Sequence, residues 1–153
     1  REMLDLAGLS ADPEAALTSG RALEVFARMV SQLGGPADLV ENAILYLPRA
    51  PVSKPCVATR AGMISAMDTR TIGVAVLAMG GGRRDAADTI DPRVGLTDVC
   101  ALGDRIEVGQ PLAMVHGGDE NSTDAAIAQI RAAISIDAKG IPGDIILERV
   151  DAS

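Results

Sequence analysis

Pro48 and Pro51 divide the chain into two segments with different patterns. The stretch YLPRAP at 46–51 cannot continue a helix, because proline lacks an amide hydrogen and restricts the residue before it. Before these prolines, apolar residues recur at helical spacing. After them, short β-prone runs alternate with glycine-containing turns. We therefore predict an extended linker, with a helical segment over residues 1–48 and a second domain over 49–153.

The first segment predicts a helical stretch ended by Gly8, followed by three further helices. Asp12 followed by Pro13 is a typical helix start, and Gly20 is a typical stop. A second helix, ended by the glycines at 34–35, carries four apolar residues on one face: Leu23, Phe26, Val30 and Leu33. A third, short helix is predicted over residues 38–44.

The second segment predicts an α+β fold of short, mostly antiparallel sheets covered by two helices. Asp68 and Ser122 are the predicted N-caps of these helices. The apolar faces are predicted to carry Ile72, Val76 and Met79 in the first helix and Ile127, Ile130 and Ile134 in the second. Strands are predicted at 56–59, 63–66, 97–101, 105–108, 112–116 and 145–147. We expect the first two to be joined through Ala61 and Gly62, and the third to fifth to form a β-meander.

Composition and charge exclude several classes of function. Aromatic residues are 1% of the chain, Phe26 and Tyr46, so it has no platform for stacking bases or sugars. The net charge is −7 and no long basic run occurs, which argues against a nucleic-acid partner. Cys56 and Cys100 lack metal-binding spacing, and we predict that both are small buried hydrophobes. No apolar run reaches the roughly 18 residues of a membrane span, so a soluble cytoplasmic protein without a membrane partner is expected.

The glycines at 80–82, followed by Arg83 and Arg84, invite comparison with a phosphate-binding loop. Such a loop precedes a helix, so that amide groups and the positive end of the helix dipole face the anion. Here the glycines follow a predicted helix, whose end carries unpaired carbonyl groups and the negative end of the dipole. We therefore predict a helix C-cap with two favourable arginines.

The remaining polar residues give no catalytic or metal constellation. His116 is the only histidine, and no serine or cysteine lies in a nucleophile-elbow sequence, so a structural histidine at a strand end is predicted. Three acids recur at every third position, but the glycine and terminal glutamate of a calcium loop are not in place. We interpret them as a solvated polar loop: Asp85, Asp88 and Asp91.

The run VCALGDRIEVGQPLAMVH at 99–116 resembles the half-barrel hairpin of biotinyl and lipoyl carrier domains. A carrier needs a lysine at the tip of a hairpin just beyond, because the cofactor is attached through its amine. The chain has only Lys54 and Lys139, and neither lies there. We expect no attached biotin or lipoate.

Three runs resemble, in order, the C-terminal part of thymidine phosphorylases in the pyrimidine-nucleoside phosphorylase family. They are LEVFARMVSQLGGPADLVENAILYLP at 23–48, AGMISAMDTRTIGVAVLAMGGGRRDAADTIDPRVG at 61–95 and LGDRIEVGQPLAMVHGGDEN at 102–121. The second is the most specific, since it combines SAMD, a helix, GGGRR and TIDPRVG. The resemblance implies an α/β-hammerhead domain over 49–153, preceded over 1–48 by helices of the parent's central α/β domain.

The resemblance also implies an activity for the parent protein. Such an enzyme is a pentosyltransferase of pyrimidine nucleoside salvage that converts thymidine and phosphate reversibly to thymine and 2-deoxyribose 1-phosphate. It works as a homodimer without a metal or organic cofactor. The family's phosphate loop and its catalytic lysine, histidine, serine and arginine residues lie in earlier parts of the chain and have no counterpart here. We assign no catalytic residue, and we expect this chain alone to be structural and inactive.

Arg83 and Arg84 are the candidate functional residues. Glycines and charged residues give the 80–95 loop few apolar atoms to bury, so we expect it to be mobile and to contact the remaining domains of the parent. A solvated loop without a role is the alternative. The chain opens on Arg1 without a methionine, in a pattern typical of the last turns of a helix ended by Gly8, which favours a piece of a longer protein. The competing hypothesis is a free-standing, non-catalytic barrel-hybrid module for binding or scaffolding.

Overall fold

The computed structural model describes residues 2–83 and 85–137, together with Glu148 and Val150. The chain divides into two compact units, Arg1–Pro48 and Arg49–Ser153. Arg84, Lys139 and the strand predicted at 145–147 lie outside the described residues. Within the described residues, no helix is long and apolar enough to cross a membrane.

The first unit contains four short helices: α1 Glu2–Leu6, α2 Pro13–Thr18, α3 Arg21–Gln32 and α4 Ala43–Tyr46. The predicted start of α2 is confirmed, because an Asp12 carboxylate oxygen accepts the amide hydrogens of Glu14 and Ala15 at N···O distances of 3.0 and 3.2 Å. Gly20 follows in a left-handed conformation with φ of 81° and begins α3. These local signals therefore set the two helices where the sequence predicts them.

The third helix was predicted too early in the chain. Residues 37–42 form turns, and the helix begins only at Ala43. The two carboxylate oxygens of Asp38 accept hydrogen bonds from Tyr46 Oη at 2.7 Å and Asn42 Nδ2 at 2.8 Å. These bonds stabilise the turn against the start of α4, and the one from Tyr46 is the main cause that lowers the pKa of Asp38.

The apolar face predicted for α3 is present but uncovered. None of the described residues at 2–48 is buried, and Phe26 and Leu33 are 44% and 80% exposed. Burying a large apolar side chain contributes about 1.5–3 kcal/mol, so this unit forgoes much of the stabilisation that its sequence offers.

The described residues of the second unit form two three-stranded antiparallel sheets and two helices, which confirms the predicted α+β class. Its strands are β1 Val52–Val57, β2 Gly62–Met67, β3 Gly95–Thr97, β4 Arg105–Ile106, β5 Pro111–Gly117 and β6 Ile134–Asp137. Its helices are α5 Thr69–Val76, continued by a π-helical turn at Leu77–Gly81, and α6 Glu120–Ala133. The strand orders are β1-β5-β3 and β4-β2-β6.

The strand pairing differs from the predicted β-meander. Strands β1 and β2 lie in different sheets, and β4 pairs with β2, so no meander forms. Backbone hydrogen bonds from Ile64 N to Asp104 O at 2.9 Å and from Gly103 N to Ile64 O at 2.8 Å hold this segment on β2. The pairing also buries the Ile106 side chain, and this burial stabilises the two-residue strand β4 on β2.

Several predicted boundaries need correction. Strand β3 ends at Thr97, where a strand was predicted to begin, because Asp98 takes a positive φ of 52° and leaves the extended conformation. The N-cap of α6 is Asp119, not Ser122, since its carboxylate accepts the Ser122 amide hydrogen at 2.9 Å. Asp68 caps α5 as predicted. Ile134 belongs to β6 and not to the helix, because α6 ends at Ala133 without a loop.

The core of the second unit forms where α6 packs against β1 and β5. Ile130 from the helix and Leu112 and Val115 from β5 are fully buried. Cys56 is fully buried among them, as predicted for a small hydrophobe, and burial raises the pKa of its thiol. Cys100 is only partly buried and packs against the core.

Gly117 permits the closest approach between β5 and α6. A Cβ atom at this position would lie 1.9 Å from Thr123 Oγ1, far inside van der Waals contact. Thr123 cannot move easily, because it is fully buried and donates a 2.6 Å hydrogen bond to the Asp119 carbonyl. The helix and the strand end therefore meet at a position that admits no side chain.

We predict that Gly117→Ala lowers the free energy of unfolding by about 1–3 kcal/mol, because the new methyl group overpacks the Thr123 contact. The neighbouring Gly118→Ala is the matched control, since its Cβ would meet nothing closer than Asp91 Oδ2 at 4.0 Å. Urea denaturation followed by circular dichroism measures both. Equal midpoints for the two variants would contradict the steric argument.

Candidate functional site

The candidate site is the 80–95 loop, which leaves the C-terminal end of α5 and its π-helical turn. Gly80 has a φ of 100°, a conformation that favours glycine, and it ends the helical path as the predicted C-cap does. The Gly80 carbonyl accepts the Asp91 amide hydrogen at 2.9 Å. The donor to the Gly80 carbonyl is therefore a backbone group from across the loop.

Asp91 and Arg93 close the loop near its end. Arg93 donates from Nε to Asp91 Oδ1 at 2.8 Å and from Nη2 to Oδ2 at 2.7 Å, and its backbone amide donates to Oδ1 at 3.0 Å. This bidentate contact lowers the pKa of Asp91 to about 2. Asp91 therefore remains ionised at neutral pH and has a structural role, because it holds Arg93 and the end of the loop in place.

An open cavity of about 440 Å³ lies beside the loop. Two of its polar lining residues are Asp85 and Asp88, and the Asp85 amide donates to Asp88 Oδ2 at 3.0 Å. Carboxylates on this wall disfavour an anion such as phosphate. Among the described residues, no group of three or more metal-ligating side chains converges.

Arg83 is the described member of the predicted contact pair. Its side chain is exposed and makes no hydrogen bond or ion pair with the rest of the described chain. Its guanidinium donors are therefore open to solvent and are not used by the described residues. Arg84 lies outside the described residues, so its part in the site stays a prediction.

His116 lies in β5 and links three strands of one sheet. Ser53 Oγ lies 3.2 Å from its Nδ1, and Thr97 Oγ1 lies 2.9 Å from its Nε2. Both ring nitrogens of His116 therefore have a hydroxyl partner on a neighbouring strand of the same sheet. This geometry fits a structural role for the histidine.

Lys54 is the described lysine, and its charge is also satisfied within the unit. Its ammonium group pairs with Glu120 and with Asp124 at 2.7 Å, so it joins β1 to the first turns of α6. The hydrogen bond to Asp124, followed by that to Glu120, raises the pKa of Lys54. It is therefore not a free amine for attaching a cofactor or for binding a substrate anion.

Sequence reasoning missed Arg93 as the partner of Asp91. The signal was present, because the segment DPR at 91–93 places an arginine two residues after an acid across a proline-restricted turn. The three acids of the loop were interpreted together, which hid their different roles. The Asp91 carboxylate binds Arg93. The Asp85 amide donates to the Asp88 carboxylate, and the Asp88 amide donates to the Asp85 carbonyl.

Residues 63–137 match the family model of the pyrimidine nucleoside phosphorylase C-terminal domain. The matched stretch begins in β2, ends in β6 and includes α5, the 80–95 loop and α6. The candidate loop is thus part of the matched domain.

We predict that the Asp91–Arg93 pair orders the loop above about pH 4 and loses this effect as the pH falls through about 2. Folding lowers the Asp91 pKa from the ordinary 3.8 to about 2, so the ion pair favours the ionised carboxylate. Protonation of Asp91 at low pH therefore removes the contribution of the pair to the stability of the loop. Arg93→Ala should raise the Asp91 pKa toward 3.8, and amide hydrogen exchange at 80–94 should become faster. NMR titration measures both, with Arg105→Ala as the control. An unchanged Asp91 pKa in Arg93→Ala contradicts the assignment.

Proposed function

We propose, from the membership of residues 63–137 in the pyrimidine nucleoside phosphorylase C-terminal domain family, that this chain is the C-terminal part of a thymidine phosphorylase. The family consists of pentosyltransferases that cleave nucleosides with phosphate. The proposal adds thymidine as the nucleoside, a homodimeric parent and a place in cytoplasmic pyrimidine salvage. The observation that carries it is the family match over β2 to β6, joined to the ordered run GGGRR and TIDPRVG within it.

The proposed reaction sets two demands on an active site. A phosphate oxygen attacks the anomeric carbon of the sugar while the bond from that carbon to the pyrimidine nitrogen breaks, and the base leaves with the bonding electrons. The enzyme must hold the phosphate against the sugar and stabilise the negative charge that develops on the base. Both tasks need cationic or hydrogen-bonding groups that are free to face the substrate.

The geometry of the described residues supports a non-catalytic role for this chain by itself. Lys54 is paired with two carboxylates, and His116 is held between Ser53 and Thr97. Arg93 is bound to Asp91. We propose that the parent's other domains supply the anion clamp, and that this domain supplies a folded lobe.

The helical unit supports the idea that more of the parent packs around it. Its described residues are all at least partly exposed, although α3 presents a continuous apolar face. Contiguous exposed apolar residues of this kind mark surfaces that other protein covers. We propose that residues 1–48 belong to the parent's central α/β domain.

The 80–95 loop is the proposed contact between this lobe and the rest of the parent. Arg83 offers an exposed guanidinium group without an acidic partner in the described residues, on a loop anchored at its end by Asp91 and Arg93. Closure of a two-lobed enzyme over its substrates would bring such a donor to an acceptor on the opposite lobe. Arg84 is proposed to share this role.

We predict that the 153-residue chain alone does not release thymine from thymidine and phosphate. The physical reason is that three of its described polar groups, Lys54, His116 and Arg93, are engaged by groups of the same unit. Chromatographic detection of thymine after prolonged incubation tests this, with a complete phosphorylase as the positive control. Turnover that persists after removal of contaminating host enzyme would overturn the proposal.

In the full-length enzyme, replacing both Arg83 and Arg84 by alanine should lower kcat/KM by about tenfold, the worth of one or two charge-assisted hydrogen bonds. Arg105→Ala is the matched control, because Arg105 is exposed on β4 and outside the loop. Steady-state kinetics with thymidine and with phosphate separates kcat from KM. Equal kinetics in the double variant and the control would eliminate the contact role.

A further inference from the structure

A second cavity, of about 390 Å³, lies on the second unit away from the 80–95 loop. Three of its lining residues are apolar and almost fully buried, so they expose little surface to it: Leu112, Ile134 and Ile136. Its remaining polar side chains are two arginines and two hydroxyl residues: Thr59, Arg60, Arg131 and Ser135. No acidic residue is among the lining residues that the structure describes, although the chain as a whole carries a net charge of −7.

Arg131 is the constrained cation of this cavity. It is partly buried on α6, and its Nε donates a 3.0 Å hydrogen bond to the Val57 carbonyl at the irregular end of β1. That bond fixes the guanidinium group but supplies no negative charge. Within the described part of the chain, Arg131 forms no ion pair with a carboxylate. A partly desolvated cation without a counter-charge is unfavourable unless an anion joins it.

Arg60 adds a second, adaptable cation at the rim. Its side chain is exposed in the connection between β1 and β2 and has no hydrogen-bond or ion-pair partner among the described residues. The nearest acidic residue along β6, Asp137, accepts a hydrogen bond from Ser65 and does not line the cavity. Nothing described here therefore neutralises the two arginines.

We propose that this cavity binds a phosphate oxyanion, either free or as the monoester of a small sugar. Two guanidinium groups with two hydroxyl groups match the several acceptor oxygens of phosphate. The cavity volume is within the range of small-ligand sites and exceeds what the anion alone needs, which leaves room for a small polar group such as a sugar. This inference is independent of the proposed catalytic role, because the cavity is formed by this chain's own β6, α6 and β1–β2 connection.

The test is an NMR titration of the complete 153-residue chain with sodium phosphate at constant ionic strength. We expect saturable shifts of the amide signals of Thr59, Arg60 and Ser135. Arg60→Ala should weaken phosphate binding at least about tenfold, the usual effect of losing a charge-assisted hydrogen bond. Arg70→Ala, an exposed arginine that lines none of the cavities described here, should leave the affinity unchanged.

Further arms distinguish the sources of the anion. Tighter binding of ribose 5-phosphate than of inorganic phosphate supports a sugar-phosphate ligand, whereas equal binding supports free phosphate. Arg131→Lys, which keeps the charge but loses the planar donor set, should also weaken binding. If Arg131→Lys does not fold, Arg60→Ala still tests whether the cavity binds phosphate, because Arg60 is exposed at the rim.

Three results would overturn the proposal. One is a set of shifts that stay linear in phosphate concentration. Another is equal affinity in Arg60→Ala and Arg70→Ala. The third is acetate binding as tightly as phosphate, which would show a response to negative charge alone.

Discussion

The contact between α6 and the β1-β5-β3 sheet is the constraint on which the second unit depends. Ile130 and Leu112 are fully buried at this contact, and Gly117 allows the strand end to reach within van der Waals distance of Thr123. Because α6 continues directly into β6, the position of the helix also sets the edge of the second sheet. One helix thus couples both sheets, and the Lys54 ion pairs strengthen its attachment at the first turn only modestly, as exposed pairs do.

The candidate functional residue Arg83 lies outside the packed helices and strands, on the loop that follows α5. The 80–95 loop follows α5, and its order depends on the Gly80 conformation, the hydrogen bond from the Asp91 amide and the Arg93 contact. Binding groups on a loop held by a rigid scaffold combine access with position. The Arg83 side chain is exposed, and the Asp91–Arg93 pair fixes the end of the loop that carries it. For these two reasons the loop is the proposed interface with the rest of the parent protein.

The two cationic features of the unit differ in their surroundings and therefore in their chemistry. Arg83 lies on a loop whose adjoining cavity carries carboxylates, so it suits a partner that brings its own acceptor from outside. Arg60 and Arg131 line a cavity with no acid among its described lining residues, and this charge pattern is the basis of the proposed oxyanion site. The same residue type thus supports a contact between domains in one place and a small-ligand site in the other, because the neighbouring charges differ.

The sequence by itself determined the local features: the helix starts at Asp12 and Asp68, the glycine end at Gly80, the α+β class and the family resemblance. Such signals need only a few adjacent residues, since a cap or a turn is satisfied within one helical turn. Only the tertiary structure decided that β4 pairs with β2, that Arg93 holds Asp91 and that Arg60 shares a cavity with Arg131. The strand pairing and the arginine cavity join groups about 40 to 70 positions apart in the sequence, and burial and hydrogen-bond satisfaction across the whole unit select such partners.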